Sequence, residues 1–197
     1  MDLSNLTTEE LLANALYLKM EERGFPKGTD KTKWREPVMA DILGHVAHEK
    51  ISAGANSEKY GSDALDEETG TYAEYKSQAI SEDQIKNLLQ LKRPNGKGSF
   101  SSLAVKGVYN GAYTLEAIEK YSQIDHYFGV FYKEICVLIV KVDRQEVKKQ
   151  LTAGFNKMEA KRLAGKKYTT NCNSVSVKMD DESVCEVVYK NFKNLED

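Results

Sequence analysis

Cysteine is scarce. Cys136, Cys172 and Cys185 are the three in 197 residues, and no two stand in C-x-x-C spacing. An odd, scattered set of this kind argues against a zinc site and for reduced thiols. His45 and His48 lie three apart in a segment that reads as helix, with no third ligand near, so they read as a partly exposed helical pair. The chain has three prolines and 41% hydrophobic residues, which argues against disorder. No apolar run approaches the ~20 residues of a membrane span. The first residues, MDLSNLTTEE, are acidic where a secretory leader would be basic. The expectation is a cytoplasmic protein with no membrane partner. Linkers, internal repeats and low-complexity segments are missing as well, so residues 1–197 are expected to form a single domain long enough to bury a core. Excess positive charge is absent: the net charge of −2 does not suit a protein that coats nucleic acid. The charge is unevenly spread, however. Lys141 to Lys167 holds nine Lys or Arg against three acids, and Lys92-Arg93-Pro94-Asn95-Gly96-Lys97 is a second basic patch. A local basic groove is sufficient for phosphate contact.

The chemistry-bearing stretch runs from Tyr60 to Gln78, YGSDALDEETGTYAEYKSQ. Ser62 to Leu65 reads as a short strand, Asp66 to Gly70 as the turn, and Thr71 to Ser77 as a return strand rich in β-branched and aromatic residues. Gly70 suits the positive-φ position of a hairpin loop. With a side-chain period of two, Glu74 and Lys76 share one face and Tyr75 takes the other. Asp63 can lie opposite that pair, so two carboxylates and an ammonium converge.

Two carboxylates side by side repel unless a cation joins them. Mg²⁺ commonly uses one or two protein carboxylates beside a substrate phosphate. A lysine next to such a metal helps stabilise charge that develops on the phosphate. The stretch therefore reads as a site for metal-assisted phosphodiester hydrolysis, with Asp63 and Glu74 as metal ligands. Two other E-x-K triplets, Glu146-Val147-Lys148 and Glu159-Ala160-Lys161, fall in stretches that read as helix, where i and i+2 do not share a face.

Gly61-Ser62-Asp63-Ala64-Leu65-Asp66 followed by Tyr72-Ala73-Glu74-Tyr75-Lys76-Ser77 resembles the D-x(n)-E-x-K site of PD-(D/E)xK type II restriction endonucleases. It is most similar to the PvuII-like branch, whose site reads N-D-A-V-D, a short turn, then Y-E-L-K-S. The resemblance implies Asp63, Glu74 and Lys76 as the catalytic set and gives Asp66 to the turn. Ser62 stands where the family name has proline. Lys97-Gly98-Ser99-Phe100-Ser101-Ser102 resembles the K-G-F-S-T-H-H segment that enters the major groove, but Leu103 and Ala104 replace its histidines. The target sequence therefore does not transfer, and a merely flexible Gly/Ser loop reads equally well. Asn171-Cys172-Asn173 resembles a segment whose Asn reads bases. An Asn amide can bond adenine N6 and N7 together, and it also favours turns for its own local bonds.

The rest of the chain reads as alternating helices and strands. A helix opens at Thr7 with Glu10 as a capping box and ends at Gly24. A second is expected from Pro37, as its first residue, to about Lys50, burying Val38, Ile42, Val46 and Ile51. In the resembling enzymes such N-terminal helices form the dimer interface; a packed monomeric core accounts for residues 7–51 equally well. Ser81 and Gln84 form a capping box for a short helix, 82–91. Thr114 caps a helix from Leu115 to about Gln123, with Leu115, Ile118 and Tyr121 inward. Two apolar runs, 126–132 and 135–140, read as core strands covered on both faces. A basic helix from Asp143 or Arg144 ends near Gly165. Residues 173–178 and 184–189 read as a last hairpin.

Together these features predict an α/β fold, a restriction-endonuclease-like mixed β-sheet core flanked by helices and carrying a catalytic β-hairpin. The function implied is Mg²⁺-dependent, homodimeric cleavage of double-stranded DNA at a short palindromic site, with a cognate DNA methyltransferase in the same system. Ser101, Ser102, Asn171 and Asn173 are the candidate base readers, and Lys92 and Arg93 the candidate phosphate contacts. The same fold also suits a structure-specific nuclease of resolvase or repair type, or a non-catalytic DNA-binding protein with a vestigial site.

Overall fold

The computed structural model describes residues 15, 22, 31–47, 62–81, 83–84, 104–109, 112, 114–167, 173–178 and 181–191. In chain order the elements are α1 (Lys31–Leu43), β1 (Val46–Ala47), β2 (Ala64–Asp66), β3 (Thr71–Ala79), β4 (Ala104–Tyr109), α2 (Leu115–Tyr121), β5 (Asp125–Tyr132), β6 (Ile135–Val142), α3 (Arg144–Leu163), β7 (Asn173–Lys178) and β8 (Cys185–Lys190). They make a mixed α/β arrangement, with a six-stranded sheet ordered β1-β2-β3-β5-β6-β8 and a separate ribbon of β4 and β7. Among the described strand pairs only β3–β5 is parallel.

The two apolar runs became β5 and β6, buried almost throughout because their side chains feed two cores, one on each face. One core gathers Phe128, Val130, Leu138 and Val140 with Ile118 of α2, Val147 and Leu151 of α3, and Val105, Tyr109, Val175 and Val177 of the ribbon. The other gathers Tyr127, Phe131 and Ile139 with Tyr75 of β3 and Met39 and Ala40 of α1. Each fully buried Val, Leu or Phe contributes about 1.5–3 kcal/mol. Lys133 and Glu134 turn the β5–β6 hairpin at φ of 45° and 63°, a left-handed conformation that costs residues with a Cβ. Arg35 of α1 secures the turn, donating to both Glu134 oxygens at 3.1 and 3.0 Å, while its guanidinium lies 5.2 Å above the Phe131 ring.

Two glutamines fasten the ribbon to the body. Gln78 of β3 donates to the Ala104 carbonyl at 3.4 Å and accepts from the Lys106 N–H at 3.0 Å. Gln150 of α3 donates to the Ser176 carbonyl at 3.0 Å and accepts from the Ser176 N–H at 2.9 Å. Each amide thereby serves strand-edge groups that would otherwise lack partners.

Local signals held well. Thr114 caps α2 by accepting from the Ala117 N–H, and Asp143 caps α3 by accepting from those of Gln145 and Glu146. Ser81 and Gln84 form their reciprocal pair at 2.9 and 3.3 Å. Ala15 and Glu22 are helical, as are Asp83 and Gln84, while the rest of the helices expected at 7–24 and 82–91 lies outside the described residues. Among the described residues no helix is long and apolar enough to cross a membrane.

Several expectations need correction, among them Val46, expected buried on a helix but 46% exposed in β1. The helix predicted over 37–50 is α1: it starts at Lys31, holds Pro37 inside, and stops at Leu43. Gly44 adopts φ 72°, the His45 N–H returns to the Ala40 carbonyl and the Gly44 N–H to that of Asp41, so the helix closes and the chain leaves as β1. The two strands expected as a C-terminal hairpin both exist but do not pair with each other: β7 joins β4, and β8 joins β6. Strand β4 was not foreseen at all. Leu115, expected inward, is 57% exposed, whereas Ile118 and Tyr121 are buried.

Candidate active site

The β2–β3 hairpin carries the candidate site. Its ladder pairs Asp66 with Thr71, Leu65 with Tyr72 and Ala64 with Ala73, so the first strand starts two residues later than the expected Ser62 and ends one later than the expected Leu65. Asp66 is the reason the turn closes: its carboxylate accepts from the Glu68 N–H at 3.0 Å, the Thr69 N–H at 3.3 Å and the Thr69 hydroxyl at 2.6 Å. The Thr69 hydroxyl holds the Asp66 carboxyl below its ordinary range. Asp63 lies just beyond the ladder. Its N–H donates to the Ala73 carbonyl at 2.7 Å, and its carboxylate accepts from the Tyr75 N–H at 2.8 Å. The two aspartates thus have different work, Asp66 in the turn and Asp63 against the middle of β3.

Glu74 is 4% exposed, and Lys76, two residues along the same strand face, donates to its Oε1. Glu74 Oε2 is buried and has no hydrogen-bond partner among the described residues. Burial, reinforced by the Asp63 charge and opposed by Lys76, pushes the Glu74 carboxyl up to about 8. Burial alone would lower the Lys76 ammonium, but Glu74 and Asp63 outweigh it and raise it. Asp63, Glu74 and Lys76 therefore form one electrostatic unit.

The parallel neighbour β5 sets His126 beside Glu74 and Phe128 beside Lys76. His126 is fully buried, and burial depresses it to about 4, so its ring is neutral. Its Nε2 lies 2.8 Å from the Tyr121 carbonyl and its Nδ1 2.9 Å from the Tyr109 hydroxyl. Glu36 of α1, 8% exposed, adds a further negative charge that raises both Glu74 and Lys76. Sequence reasoning missed Glu36, Tyr109 and His126. His126 at the head of an apolar run was the one visible signal, since a histidine there must be satisfied inside the core; Glu36 carries none.

The remaining candidates fall elsewhere. His45 is not helical; it follows Gly44, and its Nδ1 lies 2.6 Å from the Tyr75 hydroxyl, which corrects the expected pair with His48. His48 is outside the described residues, as are Ser101, Ser102, Asn171, Lys92 and Arg93. Asn173 opens β7, where its backbone pairs with Tyr109. Among the described residues no three His, Cys, Asp or Glu side chains converge as a metal cage; Asp63 and Glu74 interact as a pair of like charges. The bare Glu74 oxygen beside a second carboxylate suits a hard cation that keeps waters and shares a phosphate. No protein-family model matches the chain, and a search of curated proteins finds no match.

Proposed function

We propose that the chain is a Mg²⁺-dependent type II restriction endonuclease, hydrolysing double-stranded DNA at a short palindromic site from a restriction-endonuclease-like core. The observation that carries this is Glu74: it is buried beside Asp63, one oxygen is closed by Lys76, and the other lacks a hydrogen-bond partner among the described residues. A buried carboxylate left half satisfied is costly to stability, which makes a ligand-binding role the better account. Asp63 and Glu74 would hold Mg²⁺, which supplies Lewis-acid polarisation of the phosphate and acidifies water.

The chain's own residues do the rest. Lys76 keeps an ammonium in a low-dielectric site, where it stabilises charge developing on phosphate oxygens as water adds to phosphorus and the P–O bond to the sugar breaks. Asp63, tied to the Tyr75 N–H, keeps its carboxylate fixed against β3. Along α3 the side chains of Lys157, Lys161 and Arg162 are exposed, with Lys166 and Lys167 just past its end, a positive surface for the DNA backbone on a chain of net charge −2. A homodimer would match a twofold site, each subunit cutting one strand, and a cognate DNA methyltransferase would protect that site in the host.

Digestion of a sequenced plasmid with Mg²⁺ tests the reading. Discrete fragments with ends sharing one sequence are expected. Cleavage confined to branched DNA would instead assign a structure-specific nuclease.

A further inference from the structure

We infer that Tyr109 is the positioning residue for Lys76: its ring face holds the lysine ammonium against Glu74, and the hydrogen bond between its hydroxyl and His126 fixes that ring in place. The placement stands on geometry, while its consequence for cleavage rests on the nuclease reading.

Tyr109 comes from the ribbon, not from the hairpin that carries Lys76. The Lys76 ammonium lies 5.0 Å from the Tyr109 ring centroid, inside the ~6 Å reach of a cation–π contact. Its other side closes on Glu74 Oε1. Two residues earlier on the same strand, Gly107 makes room for the lysine stem: a Cβ there would stand 2.7 Å from Lys76 Cγ and 2.8 Å from Phe128 Cζ. The stem thus runs beneath Gly107 and the ammonium beneath Tyr109.

The ring is held by a fully committed chain of hydrogen bonds. The Tyr121 carbonyl can only accept, so His126 carries its proton on Nε2 and its Nδ1 must accept from the Tyr109 hydroxyl. The Tyr121 ring meets the Tyr109 ring edge-on at 5.1 Å. Turning Tyr109 away from Lys76 would break its bond to His126 inside the core, where such a loss is costly. Gln78 and Gln150 fasten the two strands of the ribbon to β3 and α3.

The test is lysine-selective NMR of the full chain without DNA, with Lys76→Gln used to assign the Lys76 signal. Above an aromatic face, the Lys76 Cε methylene protons should lie upfield of the other lysines in the wild type. They should stay there in Tyr109→Phe and move to the common position in Tyr109→Leu. Gly107→Ala, which crowds the stem without touching Tyr109, should displace the signal too, and it decides the matter should Tyr109→Leu fail to fold. With Mg²⁺, kcat should fall on the order of 10²-fold in Tyr109→Leu at unchanged DNA affinity in Ca²⁺, and recover in part in Tyr109→Phe. A folded Tyr109→Leu protein with the Lys76 signal unmoved would overturn the inference, as would a signal unmoved by Gly107→Ala. A shift pattern as expected in a chain that cuts no DNA would support the positioning and overturn the nuclease reading.

Discussion

Lys76 closes one oxygen of Glu74 and the other has no hydrogen-bond partner among the described residues, and both Lys76 and Glu74 lie on β3. A buried ion pair is weak evidence for stability, because desolvation of two charges offsets their attraction. Here one carboxylate oxygen also lacks a hydrogen bond among the described residues, and Asp63 and Glu36 add repulsion. The pair is poorly arranged for holding a fold together and well arranged for receiving a cation.

That tension has a pH signature. The Glu74 carboxyl is pushed from an ordinary 4.5 up to about 8, so the folded chain keeps a proton there that the unfolded chain has released. Stability without divalent metal should therefore fall as pH rises from about 6.5 to about 8, above the range in which His126 titrates, and Glu74→Gln should lose that fall. Because Mg²⁺ displaces that proton, it should raise Tm more near pH 8 than near about pH 6. Thermal melts with and without Mg²⁺ check this; a Mg²⁺ effect independent of pH would count against it.

His126 should act in the opposite sense. Burial lowers it from 6.5 to about 4, so between those values the unfolded chain binds a proton that the folded chain refuses. Its contribution is complete above the upper value and is lost as pH falls towards the lower one. Between about 4.5 and 6.5 it offsets the opposite effect of Glu74, so melts of His126→Gln should lose stability more steeply with rising pH than those of the wild type, with stability at neutral pH lower by about 1–3 kcal/mol for the hydrogen bonds lost at the Tyr109 hydroxyl and the Tyr121 carbonyl. Equal slopes would show that the ring is not held neutral.

Asp63 and Asp66 separate the site from the turn. Asp63→Asn should lower kcat on the order of 10²–10³-fold, the range for loss of a charged group that stabilises a transition state. Asp66→Asn should keep most of the activity and lower Tm slightly, since it weakens only bonds to Glu68 and Thr69. Cleavage rates and melts of the two variants decide; the reverse pattern would move the metal to Asp66.

How far the sequence disclosed this follows from where each signal lies. Asp63, Glu74 and Lys76 were legible because a hairpin is local: a turn built by Asp66 and Gly70 and a period of two bring them together with little help from the rest. The caps at Thr114, Asp143 and Ser81 were legible for the same reason. What failed was long-range. β4 pairs with β7 some seventy residues away, Ala104 facing Lys178. Gly107 weakens its strand pattern, and the need to seat the Lys76 stem and the Phe128 ring explains it. Pro37 read as a helix start, yet α1 tolerates it inside because Trp34, Arg35 and Glu36 before it are buried. Tyr109 and His126 join the site only through that unforeseen ribbon.

The candidate DNA contacts should fail in two ways. Losing a base reader among Ser101, Ser102, Asn171 and Asn173 should cost about 1–3 kcal/mol and relax discrimination, whereas losing Lys92 or Arg93 should weaken all sequences alike and flatten the salt dependence. Binding of Asn173→Ala and Lys92→Ala to cognate and random DNA across a salt series checks the division; matching effects would show it to be wrong.

The most direct measurement of the central claim is cleavage of one plasmid by wild type and Glu74→Ala in Mg²⁺, with binding of the same DNA in Ca²⁺. The account predicts discrete fragments from the wild type, none from Glu74→Ala or in the presence of a chelator, and DNA binding largely intact in both proteins, because affinity resides in phosphate and base contacts elsewhere. Near-normal cleavage by Glu74→Ala, or a wild type that cuts no DNA with Mg²⁺, would contradict it.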